Sequence, residues 1–592
     1  MADYLAPLED MNFVLNEHLD LAALAALPGY EDLSPDLAAS ILEEAGKLAT
    51  NVLSPLNASG DRAGVKVHGD AEVATPPGFR DAYQQFTDAG WGSLQFDPDY
   101  GGQGLPFALA IPVQEMWHAA NMAWGLCPLL SQGAIEALEV NASDELKTRY
   151  LPNMISGRWN GTMNLTEPQA GSDMATLRTR AERDGDHYRI YGQKIYITWG
   201  ENDMTDNVVH LVLARLPDGP PGVKGISLFL VPKFIANEDG TLGARNDLQV
   251  LSVEHKLGVH GSPTCVMSYG ENEGAIGFLV GQEHRGLACM FSMMNNARLT
   301  VGLQGVSIAE RAYQLARDHA LERKQGVAPG ETEIGNIVKH PDVRRMLLTM
   351  RALTEASRAV AYVACASVDF RNKHPDPAVR ALHDARSALL TPVVKGWCTE
   401  IGPEVASLGV QVHGGMGFIE ETGAAQYLRD ARILPIYEGT NGIQAMDLVE
   451  RKTRLDKGAA VDSLITDMRA VIASANETGQ PELQTMAGQM NEAVTALEQI
   501  KTRILTDSES DIYFAGSASF NYLMMMGVVC GGWQMLVASI AAAGRDASNS
   551  FTRNKLIIAA FYMDHILPRY LTHASAIESG SDSIMGLPEE AF

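Results

Sequence analysis

An α+β fold, with a β domain set between helical regions and a further helical domain at the end, is what the sequence predicts, and three observations predict it. Residues 1–158 carry helical periodicity, short β-type runs fill 159–280, and long helical patterns return after that. At 592 residues the chain has room for about four domains of roughly 150 residues each. Its 46% hydrophobic content supplies large buried cores. The expected domains are 1–158 (N-terminal, helical), 159–280 (middle, β barrel or sheet), 281–455 (a four-helix bundle) and 456–592 (an additional helical domain).

The first helical region includes 34–51, behind a Ser-Pro start, and 106–126, rich in Ala and Met. The β runs are 187–198, 207–216, 225–231, 265–269 and 275–280, divided by Gly, Pro, Asn and Asp, and they predict a compact antiparallel sheet or barrel. In 287–324, Ala309, Ala312, Ala316 and Ala320 recur at helical spacing, which favours close packing on a second helix. Two more long helices are expected at 344–373 and 379–408, and the last domain begins with a helix at 459–475.

Charge narrows the function. Net charge is -26, from 46 Lys+Arg against 72 Asp+Glu, so the mean field repels nucleic acid and anionic membranes. Six scattered cysteines without a CxxC suit reduced thiols, and no Lys or Arg precedes Lys47, so the expected location is the cytoplasm. No charge occurs between Asp511 and Arg545, and 522–544 is long enough to span a bilayer. Gln534, Ser539, Gly527, Gly531 and Gly532 make a helix buried inside a bundle the expected reading.

The chemistry lies in five motifs: MNLTEPQAGSD (163–173), KIYITWG (194–200), RKQG (323–326), QVHGGMGF (411–418) and IYEGTNGIQ (436–444). Hydroxyls and backbone amides of the first can hydrogen-bond a flavin ring and its pyrophosphate without a positive charge. In order and spacing, the five resemble the acyl-CoA dehydrogenase family over about residues 35–450. The resemblance implies FAD, an acyl-CoA substrate and an electron-transfer flavoprotein as acceptor. It places Met163, Leu165, Thr166, Gly171 and Ser172 on the isoalloxazine edge and pyrophosphate, with Tyr196 and Thr198 against the ring. Tyr196 stands where many members have Trp, which keeps an aromatic face. Arg323, Gln325, Gln411, Gly414 and Gly415 are implied to reach the FAD of a neighbouring subunit, hence a homodimer. RKQG lacks the Phe that usually separates Gln from Gly.

Glu438 matches the family's base, and Thr440 follows closely enough to touch the flavin. An α C–H beside a thioester is a weak acid, so its base must be a close, partly desolvated carboxylate, with donors for the developing enolate oxygen. The run Ile433, Leu434, Pro435, Ile436 and Tyr437 supplies a dry wall expected to raise its pKa. By the resemblance, the Glu438 N–H and a ribityl hydroxyl are the donors. Arg298, in MNNARLTVG, aligns with the arginine beside the CoA or thioester channel, and Ser172, Tyr437 and Gly439 complete the expected substrate contacts. The expected reaction removes an α proton and a β hydride to give a trans-2-enoyl-CoA.

The N-terminal MNFVLNEHLDL and the helical extension resemble a long branch of the family that oxidises a short thioether, 3-methylmercaptopropionyl-CoA, to methylthioacryloyl-CoA. Two alternatives share the fold: an acyl-CoA oxidase, and a non-dehydrogenase flavoprotein that binds DNA, against which the net charge argues. Gly101, Gly102 and Gly104 follow no βαβ strand and form no dinucleotide fingerprint. Glu115 and His118 have the spacing of a diiron helix but no second copy, and no zinc set occurs, so no metal is expected.

Overall fold

Two strands, Asn207–Arg215 (NVVHLVLAR) and Ile226–Pro232 (ISLFLVP), are buried almost along their whole length, which is what an uninterrupted β-branched and aromatic run requires. They pair antiparallel in the centre of an eight-stranded sheet. Ile226–Pro232 pairs in turn with Ala275–Val280, which pairs with His187–Thr198. Arg180–Asp184 bridges His187–Thr198 and Asn207–Arg215, so five strands close a circuit, the barrel alternative of the sequence reading. Ile190, Val212, Phe229 and Val231 on these strands share one buried hydrophobic cluster. The antiparallel expectation needs one correction: Trp159–Asn164 and Arg180–Asp184 both lie parallel to Asn207–Arg215. Trp159–Asn164 (WNGTMN) is fully buried but carries two Asn and a Gly, and so gives no β signature.

The computed structural model describes residues 4–69, 72–546 and 548–592. The chain divides into two compact units: Ala45–Pro106 with Met116–Ala297, and Met1–Glu44 with Phe107–Glu115 and Arg298–Phe592. The segment expected as one N-terminal helical domain is thus shared between them. The helix expected over 106–126 breaks at Asn121, whose Oδ1 accepts from the Trp124 N–H at 3.1 Å and starts a new helix, Met122–Asn141.

Three long helices, Gly286–Glu322, Pro341–Lys373 and Pro377–His413, form the bundle. Two glycines set one crossing. A Cβ at Gly302 would lie 2.6 Å from the Val394 carbonyl oxygen, and one at Gly305 only 2.1 Å from that of Cys398. Only glycine lets the backbones approach this closely. Gly305→Val is therefore expected to cost about 3 kcal/mol or more by overpacking, read as a lower denaturation midpoint, and to lower turnover because Gln304 and Arg298 share that helix.

The uncharged segment forms the helix Phe514–Ala543, long and apolar enough to cross a membrane, with 83% of its most apolar window buried. Gly527 packs against the Trp397 ring and Gly531 against Tyr562, so the helix is a core element of the bundle and its extension. Glu115, the first residue of the Glu-x-x-His spacing, is spent on the buried Arg358 guanidinium and the Tyr362 hydroxyl.

Candidate active site

The segment between the helices Ala424–Ala431 and Asn441–Val449 forms a loop with Glu438 near its apex. The Asn441 N–H donates to the Pro435 carbonyl at 3.0 Å and closes the neck. Glu438 (φ 56°) and Gly439 (φ 87°) are consecutive left-handed residues. A glutamate held there carries backbone strain of about 1–3 kcal/mol, of the kind that collects at functional sites. The Gln444 amide donates to the carbonyls of both residues at 3.4 Å. Tyr437 donates its hydroxyl to Gln304, and Thr440 N-caps the following helix by accepting from the Ile443 N–H at 3.3 Å. Among the described residues the Glu438 N–H carries no hydrogen bond, so it is free to donate elsewhere.

Burial raises the pKa of the half-buried Glu438 carboxyl, and the opposing charges of Arg298 and Lys395 only partly offset it. Arg298 is buried, with one terminal nitrogen 3.7 Å from where a Cβ of Gly439 would lie, and its Nε has no hydrogen-bond partner among the described residues. A buried, unsatisfied donor beside a glycine is the arrangement a polar ligand completes. Lys395 is fully buried, and its Nζ donates to the Leu434 carbonyl at 3.0 Å and Asn441 Oδ1 at 2.9 Å. Burial pushes it down to about 7, although Glu438 and Glu400 pull it up. The sequence reading missed Lys395. The available signal was a lone Lys in the apolar run TPVVKGWC.

Two of the other flavin motifs, MNLTEPQAGSD and KIYITWG, lie in the β unit. Met163 is buried on the strand Trp159–Asn164, and Leu165 to Ser172 follow as a loop. Lys194 and Glu167, which the reading left without a role, hold that loop. Lys194 Nζ donates to the Leu165 carbonyl at 2.9 Å and to Glu167 at 2.8 Å. Glu167 also accepts from the Thr179 hydroxyl and from the N–H groups of Arg178 and Thr179. Burial alone would raise its pKa, but the Lys194 charge and these donors hold it at about 2. The loop is thus fixed while Gly171 and Ser172 stay exposed, with open space around Gly171.

Tyr196 lies at a bulge, where Lys194 and Ile197 pair with Met267 and Cys265 and leave two residues opposite one. Its φ is 59° and its side chain is 60% exposed, an aromatic face turned out of the ladder. Thr198 ends the strand, its carbonyl accepting from the Thr162 hydroxyl at 2.7 Å. Arg323 and Gln325 follow the helix Gly286–Glu322, exposed, with a 3.5 Å contact between their side chains. Gln411, Gly414 and Gly415 lie at the end of Pro377–His413. The two ends are side by side, because His319 stacks on His413 at 4.3 Å above a cavity of about 270 Å³. Gly414 and Gly415 have open space around them, and Phe418 beyond is 86% exposed.

Four family models match the chain in succession: "Acyl-CoA dehydrogenase, N-terminal domain" over residues 39–158, "middle domain" over 162–271, "C-terminal domain" over 284–453, and "Acetyl-CoA dehydrogenase C-terminal like" over 464–588. The chain is 44% identical to 3-methylmercaptopropionyl-CoA dehydrogenase of Ruegeria pomeroyi, over 98% of this chain and 99% of the relative. It belongs to the acyl-CoA dehydrogenase family. A butyryl-CoA dehydrogenase of Syntrophomonas wolfei is 34% identical over 100% of this dehydrogenase and 99% of its own length. The fold also matches the FAD complex of an acyl-CoA dehydrogenase from Bacillus anthracis, with a TM-score of 0.75, 20% identity, and coverage of 96% and 91% of the two chains. The dehydrogenase is an FAD-dependent oxidoreductase acting on acyl-CoA. Its residues fit that cofactor: an exposed aromatic ring at Tyr196, open amides at Gly171 and Ser172, and unobstructed backbone at Gly414 and Gly415.

Proposed function

We propose that Glu438 is the catalytic base of this dehydrogenase and that its substrate is a short acyl-CoA, 3-methylmercaptopropionyl-CoA first. The observation that carries the base is its setting: a carboxyl of raised pKa, at the apex of a strained, hydrogen-bonded loop beside two buried cations. Glu438 takes the α proton, and its own N–H is free to stabilise negative charge growing on the thioester oxygen. Bound FAD supplies the acceptor for the hydride that leaves the β carbon. The C–H electron pair at the α carbon becomes the new double bond, giving the trans-2-enoyl-CoA. Met163, Leu165, Thr166, Gly171, Ser172, Tyr196, Thr198 and Thr440 are assigned to FAD, and Ser172, Arg298, Tyr437 and Gly439 to the substrate. Arg323, Gln325, Gln411, Gly414 and Gly415 are assigned to the FAD of the second subunit of a homodimer. The bare glycine backbone and exposed Phe418 support a partner there. A tetramer in light scattering contradicts the dimer.

Two of the full-length relatives act, by name, on 3-methylmercaptopropionyl-CoA and butyryl-CoA, which supports a short acyl chain. An electron-transfer flavoprotein is the proposed acceptor, and six free cysteines fit a reducing cytoplasm. A panel of acyl-CoAs, including the thioether, is expected to give its highest kcat/KM with the thioether or another short chain. A preference for long chains contradicts this. Substrate-bleached enzyme is expected to recolour with electron-transfer flavoprotein and to stay bleached in air. Rapid recolouring in air would make it an oxidase.

A further inference from the structure

Among the described residues the Glu438 carboxylate has no hydrogen-bond partner, so the loop must hold it. That loop has a neck, where the Asn441 N–H meets the Pro435 carbonyl at 3.0 Å. One residue from outside the loop grips both sides of the neck. Lys395, in the middle of Pro377–His413, donates to the Leu434 carbonyl on the entering side and to Asn441 Oδ1 on the leaving side. Asn441 is fixed in turn, its amide donating to the Gly396 carbonyl at 3.2 Å, the Thr399 hydroxyl at 3.0 Å and Glu400 at 2.8 Å. Lys395, Leu434, Thr399 and Asn441 are all buried, so water cannot replace a missing donor.

We infer that Lys395 is a positioning residue for proton abstraction, clamping the neck of the loop so that the left-handed pair Glu438 and Gly439 presents the carboxylate in one place. A fully buried lysine is rare unless paired, and this one is paired with an amide oxygen and a backbone carbonyl, one from each side of the neck. The inference rests on the reading of Glu438 as base. It assigns Lys395 no contact with substrate or flavin. Its ammonium also lies close enough to favour the carboxylate form of Glu438, so clamp and charge act in the same direction.

The test compares FAD-loaded Lys395→Met and Asn441→Ala with the unaltered enzyme, using the best acyl-CoA of the panel with hydrogen or deuterium at the α carbon. A displacement of about 1 Å at a reacting group costs about 100-fold. Lys395→Met is therefore expected to lose about that much kcat, with KM and FAD content within about twofold and a larger α-deuterium isotope effect, because C–H cleavage becomes limiting. A merely structural lysine would lower FAD content and stability together and leave the isotope effect unmoved, and that result overturns the inference. If Lys395→Met does not fold, Asn441→Ala, which opens one side of the clamp, must show the slower turnover and the larger isotope effect; an unimpaired Asn441→Ala overturns it. Glu438→Gln separates the two ideas. If it stays active, the base reading fails; if it is inactive while Lys395→Met is unimpaired, only the clamp fails.

Discussion

Glu438→Gln is expected to lower kcat by about 10²- to 10⁴-fold, the usual worth of a positioned general base, and to leave the protein yellow. The amide is nearly isosteric and the loop is held by Asn441, Gln444, Tyr437 and Lys395, none of which bonds the Glu438 carboxylate. Turnover and FAD content, measured on one preparation, check it. In the unaltered enzyme the acid limb of kcat/KM is expected above the ordinary carboxylate range, because burial raises the Glu438 pKa. The same shift fixes a stability effect. A carboxyl whose folded pKa exceeds its unfolded value favours the folded state at low pH, and this contribution is lost as pH rises through the folded value. At alkaline pH, Glu438→Gln should therefore denature no earlier than the unaltered protein.

Arg358→Met is expected to cause the largest loss of stability of any single substitution considered. Its guanidinium donates to Glu115 at 2.7 Å, to Glu310 at 2.8 Å and to Asp10 at 2.5 Å, with its side chain only 1% exposed. Lys555 pairs with Asp10 and also with Glu355 at 2.6 Å. Removing one partner of a single buried ion pair costs about 3–5 kcal/mol, because the remaining charge is left desolvated. Here three carboxylates lose their common donor, so the cost should lie at or above that range, read as a lower denaturant midpoint or as insoluble expression. An exposed pair such as Arg158 with Asp206 should change stability by no more than about 1 kcal/mol when broken. The cluster also predicts acid sensitivity. Burial would raise the Asp10 pKa, but Lys555 and Arg358 hold it at about 2. Its stabilisation is full above the unfolded value of about 4 and disappears as pH falls toward 2.

The elements that could be read from the sequence were those whose periodicity reports burial directly. His187–Thr198 and Ala275–Val280 match the expected β runs end to end, and the long helices differ from theirs by a few residues. Strands that bury polar groups or lie mostly exposed were invisible. Trp159–Asn164 is held by Thr162 and Asn160 hydrogen bonds, and Arg180–Asp184 is charged at four of five positions. The parallel pairings followed them out of sight. At the site, Glu438, Arg298 and Tyr437 were recognisable from their motifs, and the structure brings them into one region. Lys395 and Gln304 were not, because they belong to other helices and act through the neighbours that the crossing at Gly302 and Gly305 supplies. Glu167 and Lys194 sat inside recognised motifs, yet their role is to hold a loop, which only their partners reveal.

Anaerobic mixing of the FAD-loaded enzyme with 3-methylmercaptopropionyl-CoA tests the central claim most directly. The unaltered protein should bleach, with a product two hydrogens lighter than the substrate. Glu438→Gln, with equal FAD and bound substrate, should stay yellow. Bleaching of Glu438→Gln at the unaltered rate would contradict the assignment of Glu438 as the base.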